Sequence, residues 1–180
     1  MGNFEKIFIG HLVEGNLADY YERISQDLVC RFGLFDLSKF IPPHITLLPP
    51  FKAEAEQLSQ IRYRLEFFLW KYLPIETEVD GFGCFNERVI YLRVRSRPSI
   101  VALTREIRDL YQEFGGLNQT GRLNGTPHIS IGRFIKPDQF PLVWQYVSRL
   151  PKPQFELRLN NLTIFSKRGA VWGSRCVCRI

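Results

Sequence analysis

Two five-residue segments constrain this chain more than anything else in it: Pro43-His44-Ile45-Thr46-Leu47 and Pro127-His128-Ile129-Ser130-Ile131. The protein has three histidines, and two of them stand in this same setting, 84 positions apart and roughly symmetric about the chain centre. Side chains alternate along a β-strand, so the histidine and the hydroxyl residue at i and i+2 share one face while the apolar residues turn to the other. Each segment therefore reads as a strand with a chemical face and a core face. A lone histidine in an apolar strand is most often a buried structural residue. The match over five positions is what argues for a shared role, with both chemical faces meeting one cleft.

Two imidazoles and two hydroxyls around one cleft suit acid-base chemistry on a group with several oxygens. One neutral imidazole can take a proton while the other, protonated, gives one, and hydroxyls can donate to the remaining oxygens. The third histidine, His11, has Val13 at i+2 where the pattern needs a hydroxyl, and is expected to be structural.

Around these segments the hydrophobic periodicity alternates between strands and helices. A strand is expected over 4–13, then a helix capped by Asn16 with Leu17, Tyr20, Ile24, Leu28 and Phe32 at helical spacing and Gly33 as its stop. A second helix spans 54–72, with Leu58, Ile61, Leu65, Leu69 and Tyr72 on one stripe. Strands at 75–85 and 88–95 flank a turn at Asn86-Glu87. A third helix carries Ile100, Leu103, Ile107, Leu110 and Phe114 and ends at Gly115-Gly116. A fourth covers 138–150, and a closing pair of strands turns at Lys167-Arg168-Gly169. Periodicity alone gives an α+β chain and leaves the strand pairing open. With 180 residues, 45% apolar, the chain can bury a sizeable core and is expected to be one unit, 1–180.

Charge is unevenly shared: residues 1–86 hold 8 basic and 12 acidic side chains, residues 87–180 hold 16 and 6. A basic second half suits a phosphate-rich partner such as RNA, against the plainer reading of a solvated surface. The stretch Met1 to Leu12 lacks the layout of a signal peptide and no apolar run is long enough to span a bilayer, so a cytoplasmic protein with no membrane partner is expected. Cys30, Cys84, Cys176 and Cys178 are scattered, form no zinc-type knuckle and read as reduced.

The paired His-x-Thr/Ser segments resemble the signature of the two-histidine (2H) phosphoesterases, most closely the branch called 2′-5′ RNA ligase-like or RNA 2′,3′-cyclic phosphodiesterase-like. The resemblance covers the layout of nearly the whole chain. Ser130 departs from it, since threonine is commoner there; the hydroxyl is kept and a methyl lost. The resemblance implies two pseudo-symmetric lobes, each a mostly antiparallel sheet backed by helices, with a central groove. It implies His44 and His128 as the acid-base pair, Thr46 and Ser130 as phosphate-binding hydroxyls, and no metal or other cofactor. The reaction implied is opening of a 2′,3′-cyclic phosphate, on an RNA end or a nucleotide, to a 2′-phosphate, with reversible 2′-5′ ligation as its relative. No obligate protein partner is implied, and the likeness of the two motifs leaves open which histidine is base and which is acid.

Further contacts follow less directly. Strand parity puts Gly132 and Phe134 on the chemical face and Arg133 on the other unless the strand bends, whereas some relatives carry an arginine three positions after the hydroxyl, the spacing of Ser130 to Arg133. Phe134 could stack on a base, as could Tyr91, which shares a strand face with Arg93 and Arg95. A nucleotide- or RNA-binding module would use the same hydroxyls and arginines, but simple phosphate binding has no need of two imidazoles. A two-histidine metal site lacks a neighbouring carboxylate or cysteine in either segment.

Overall fold

The computed structural model describes residues 4–113 and 125–179. In chain order the elements are β1 (Glu5–Leu12), α1 (Asn16–Phe32), a single 3-10 turn (Leu37–Lys39), β2 (His44–Ala53), α2 (Ala55–Tyr72), β3 (Ile75–Phe85) and β4 (Val89–Val94). There follow α3 (Pro98–Glu113), β5 (His128–Gly132), α4 (Phe140–Arg149), β6 (Gln154–Leu159), β7 (Asn161–Arg168) and β8 (Val171–Arg179). The order strand-helix-strand-helix occurs twice, as β1-α1-β2-α2 and β4-α3-β5-α4, and the two matched segments open β2 and β5.

The strands form two four-stranded sheets, β2-β1-β7-β8 and β5-β4-β3-β6, in which every pairing is antiparallel. β2 and β5 are therefore corresponding edge strands, and they pack beside each other where the sheets meet. α1 lies against β5 and α3 against β2, so each helix crosses to the opposite sheet. This is the expected α+β pair of lobes about a central groove.

The halves of the chain do not coincide with the lobes. β3, from the first half, completes the second sheet, while β7 and β8 return to complete the first. The closing strands number three instead of two, because β6 pairs with β3 before the β7–β8 hairpin forms. Two expectations for α1 also change, its cap and its buried stripe, whereas the Asn86-Glu87 turn stands where it was expected. Helix α1 is capped by Gly15, at φ 65°, ψ −152°, a conformation open essentially to glycine alone, and the Gly15 carbonyl accepts from the Ala18 and Asp19 amides. Its buried stripe runs Leu17, Tyr21, Ile24, Leu28, with Tyr20 half-buried against Phe155. At Asn86-Glu87 both residues take positive φ, 47° and 52°, which gives the tight β3–β4 hairpin its twist. The expected end of α3 at Phe114 and Gly115-Gly116 lies outside the described residues.

A continuous apolar core joins both sheets to the helices. Ile45, Leu47, Ile129 and Ile131 are each 1–2% exposed and belong to it. Burial of such side chains contributes roughly 1.5–3 kcal/mol apiece, so the apolar members of the two segments pin β2 and β5 and leave the alternate residues facing the groove. No helix among the described residues is long and apolar enough to cross a membrane.

Candidate active site

One groove of about 830 Å³ runs between the lobes, and His44, Thr46, His128 and Ser130 all line it. The two histidines are held in the same way. Nδ1 of His44 donates to the carbonyl of Pro42 at 2.8 Å, and Nδ1 of His128 donates to the carbonyl of Thr126 at 2.9 Å, in both cases two residues back along the chain. A carbonyl only accepts, so each bond fixes the proton on Nδ1 and leaves Nε2 as the basic nitrogen. The proline between carbonyl and histidine, Pro43 or Pro127, holds φ and stiffens that short loop.

Each ring also rests on two aromatic side chains from the inner strands of its own sheet. His44 touches Phe8 of β1 and Phe165 of β7, with centroids 4.8 and 5.3 Å away, and those two rings stack on each other at 4.4 Å. His128 touches Phe85 of β3 and Tyr91 of β4 at 4.8 and 5.1 Å, and those rings stack at 4.3 Å. Room for the platforms comes from glycine. A Cβ on Gly83 would lie 2.5 Å from the Tyr91 ring, and one on Gly10 would lie 2.6 Å from the Ile45 carbonyl and 3.3 Å from Phe165.

Burial pushes the pKa of both imidazoles down, that of His44 to about 4. The backbone hydrogen bonds oppose this, and the charge of Arg133 adds to it at both rings. His128 is the easier of the two to protonate, and its charge then further depresses His44. Among the described residues neither the Thr46 nor the Ser130 hydroxyl is held by another protein group, so each is free to donate to a ligand.

Five cations line the groove, Arg88, Arg105, Arg108, Arg133 and Lys136, and among the described residues no carboxylate does. The described residues also gather no cluster of three His, Cys, Asp or Glu side chains that could hold a metal ion. The family model described as the 2′-5′ RNA ligase superfamily matches residues 17–172.

The chain belongs to the 2′-5′ RNA ligase superfamily. A Bacillus anthracis protein named as a candidate phosphoesterase is 33% identical over 95 residues, 52% of either chain, so the match spans about half the length of the curated relatives. In fold the chain is similar to E. coli LigT solved with 3′-AMP, with TM-score 0.66, 16% identity and 99% of both chains covered. It is similar also to TT0787 of Thermus thermophilus, with TM-score 0.68, 15% identity and 97% of both chains covered.

In this 2′-5′ RNA ligase superfamily chain the remaining sequence expectations resolve by geometry. β5 ends at Gly132, and Phe134 takes φ 60°, so the strand alternation stops and Arg133 and Phe134 both reach the groove. The amide of Ile135 then bonds back to the Arg88 carbonyl. Phe134 is 70% exposed, edge-on to Phe35, with the Arg133 guanidinium 5.4 Å from its ring. Tyr91 pairs directly with Ser130 but is 7% exposed and lies under His128; it supports the histidine instead of lining the groove. Arg93 and Arg95 do not build a basic wall there: Arg93 donates to the Phe82 carbonyl, and Arg95 pairs with Glu78. His11 is structural, 2% exposed, its ring held by the Asn161 carbonyl and its pKa pushed by burial to about 4. Cys176 and Cys178 lie 3.9 Å apart on β8 as thiols.

Sequence reasoning missed the Phe8–Phe165 and Phe85–Tyr91 platforms as units, along with Arg88, Arg105, Arg108 and Lys136. A signal existed for the helical pair. Val101, Thr104, Arg105 and Arg108 recur at i, i+3, i+4 and i+7 on a face of α3 that flanks its apolar stripe.

Proposed function

We propose that the protein is a metal-independent phosphodiesterase that opens 2′,3′-cyclic phosphates, on RNA ends or nucleotides, to 2′-phosphates, with His44 and His128 as the proton-transfer pair. One observation carries this reading: two imidazoles held by identical backbone hydrogen bonds turn their Nε2 atoms to one groove lined by cations and free of carboxylates among the described residues. In the reaction one Nε2 takes a proton from the attacking water while the other, protonated, gives one to the departing 3′-oxygen of the ribose. Thr46 and Ser130 donate to the non-bridging oxygens, and Arg133 offsets the charge that develops on them. The strained ring needs little beyond paired proton transfer and orientation. The same ring opening with a 5′-hydroxyl in place of water, its proton passing to the base while the departing 3′-oxygen takes one from the acid, is 2′-5′ ligation.

Supporting this reading is the electrostatic balance of the groove. Both imidazoles are neutral in the empty site at neutral pH, because burial and Arg133 hold their pKa values down. An arriving phosphate brings negative charge beside both and raises them, so the acid form is made where and when the substrate is bound. LigT has been solved with 3′-AMP, and a nucleotide phosphate is the ligand class proposed for this groove too.

The test is hydrolysis of the four nucleoside 2′,3′-cyclic phosphates and of an RNA ending in one, with chelator present and the His44→Ala/His128→Ala double variant as control. Turnover confined to the intact protein with a 2′-phosphate product is expected. A 3′-phosphate product, or activity that chelator abolishes, would overturn the mechanism. If the folded protein binds these nucleotides and turns none over, the groove belongs to a binding module.

A further inference from the structure

The groove holds more positive charge than one phosphate requires. Arg133 is the cation whose field reaches both imidazoles, which suffices for a reacting phosphodiester with one negative charge. Arg88, Arg105, Arg108 and Lys136 line the same groove in addition. Elsewhere ten of the described cations pair with carboxylates, among them Arg31 with Asp27, Arg158 with Glu76, Arg175 with Glu5 and Arg179 with Glu14, and those left unpaired are not gathered in this groove. Among the described residues no groove cation has such a partner. Grouping like charges without counter-charges costs stability, so their company in one groove asks for a polyanionic occupant.

Helix α3 sorts its charges by face. Glu106 accepts from Lys71 and Tyr72 of α2 at 2.8 and 2.7 Å, and Glu113 accepts from Arg64 of α2 at 3.1 Å. Its carboxylates on that side are spent on the neighbouring helix. Arg105 and Arg108, one turn apart and so about 5–6 Å between Cβ atoms, face the groove unpaired, and Asp109, four residues after Arg105, forms no ion pair with it. The helix runs beside β2 with Tyr111 edge-on to Phe51 at 4.4 Å. Phe51 is seven residues beyond His44 in that strand, roughly 20 Å at an extended rise of about 3.3 Å per residue. The arginines therefore lie along the groove from the imidazoles, not around them. At the His44 end of β2 the groove is bordered by rings instead, among them Phe134, Trp172 and Phe8.

We infer that Arg105 and Arg108 of α3 form a subsite for backbone phosphates upstream of the reacting end, so that the groove takes the 3′ end of a single-stranded RNA in preference to a mononucleotide. The inference rests on the reading of His44 and His128 as the reacting centre. A basic track combined with exposed aromatic rings is how proteins follow an unpaired strand, with cations along the backbone and rings under bases. The groove volume, near the upper end of the about 300–1,000 Å³ common for small-ligand sites, leaves room for more than one nucleotide.

The experiment compares wild type with the Arg105→Ala/Arg108→Ala double variant on two substrates, a nucleoside 2′,3′-cyclic phosphate and a six-nucleotide RNA ending in the same cyclic phosphate. The variant should match wild type within about twofold on the mononucleotide and fall about tenfold or more in kcat/KM on the RNA. The dependence of RNA binding on log salt should flatten by about 1.4, the value for two phosphate contacts to a single strand at about 0.7 each. Equal losses on both substrates, or no loss on either, would overturn the subsite. A second arm keeps this separable from the reaction: binding of the same six-nucleotide RNA with a 3′-phosphate end against the nucleoside 3′-phosphate. If wild type hydrolyses nothing, the proposed reaction fails, and the subsite stands only if wild type binds the RNA more tightly and the variant erases that preference.

Discussion

The carbonyl of Pro42 orients His44 and the carbonyl of Thr126 orients His128, each ring lies on a stacked aromatic pair, and each strand is the edge of a four-stranded sheet. The walls around these two matched centres differ. All five cations of the groove come from residues 88–136, in the basic half of the chain, while the residues lining it before position 88 are uncharged at neutral pH, His44 included. The device that aims an imidazole is repeated in both lobes, and charge stands on one side of it only. Such a division is what a polar, anionic substrate with an unsymmetrical shape needs. In the proposed reaction the phosphate would meet equivalent groups from two lobes, and the rest of the substrate a basic wall on one side and an apolar one on the other.

If the two centres are equal partners in proton transfer, His44→Ala and His128→Ala should each lower kcat/KM by about 10²–10⁴. The double variant should fall little further, since groups acting as a unit are not additive. Steady-state hydrolysis of a 2′,3′-cyclic phosphate reads this directly, and near-normal activity in either single variant would break the equivalence. Arg133 belongs to one lobe yet acts on both rings. Arg133→Gln removes a charge-assisted contact worth about 1.5–3 kcal/mol, so a loss of roughly 10- to 150-fold is expected. It should also move the kcat/KM optimum to higher pH, because both imidazoles lose a depressing positive charge. A loss of activity with an unmoved pH profile would place Arg133 away from the histidines.

How much of this was legible in the sequence follows from what each signal encodes. The paired segments gave the strands, their faces and the four groove residues His44, Thr46, His128 and Ser130, because strand parity is a local rule. Helix stripes located α1 to α4 within about two residues at most ends, the expected scatter. Pairing was not legible: nothing in 75–85 says that β3 joins the second sheet, since edge and centre of a sheet are set by contacts distant in sequence. Parity also misled at Arg133, where the positive φ of Phe134 re-aims the chain after Gly132. The aromatic platforms escaped because Phe8, Phe85 and Phe165 come from three strands, brought under the imidazoles by register alone.

The two supporting glycines test how far the matching goes into the scaffold. Gly10 stands opposite Thr46 in β1, and Gly83 stands opposite Tyr91 in β3. Gly83→Ala would meet the far end of the Tyr91 ring, while Gly10→Ala would meet a main-chain oxygen, that of Ile45, between His44 and Thr46. Overpacking of this kind costs about 1–3 kcal/mol, and Gly10→Ala should show the larger loss in thermal or urea unfolding because backbone yields less than a side chain. It should also lower activity more, by displacing the strand that carries His44. Equal or reversed losses would mean that β2 is the looser of the two motif strands.

The smallest effect, and the most exact comparison of the two centres, is the order in which the rings take protons. As pH falls, His128 should titrate first, and His44, deeper in the groove and facing both His128 and Arg133, should follow near pH 4. His11 is an internal control: it stands opposite Ile45 in β1, outside the groove lining, and, held by the Asn161 carbonyl, it too is pushed to about 4, by burial, with no contribution from Arg133. Imidazole resonances followed by NMR would separate the three. Arg133→Gln removes a positive charge and so favours the protonated forms of His44 and His128; both should move up while His11 stays. Inorganic phosphate in the groove should do the same by adding negative charge. Because His11 and His44 bind protons more weakly folded than unfolded, their contribution to stability is complete above about pH 6.5 and is lost as pH falls towards 4. The same titration should therefore end in acid unfolding. If His44 and His128 titrated together near 6.5, the deeper burial of His44 and the reach of Arg133 to both rings would be refuted at once, whatever the activity of the variants.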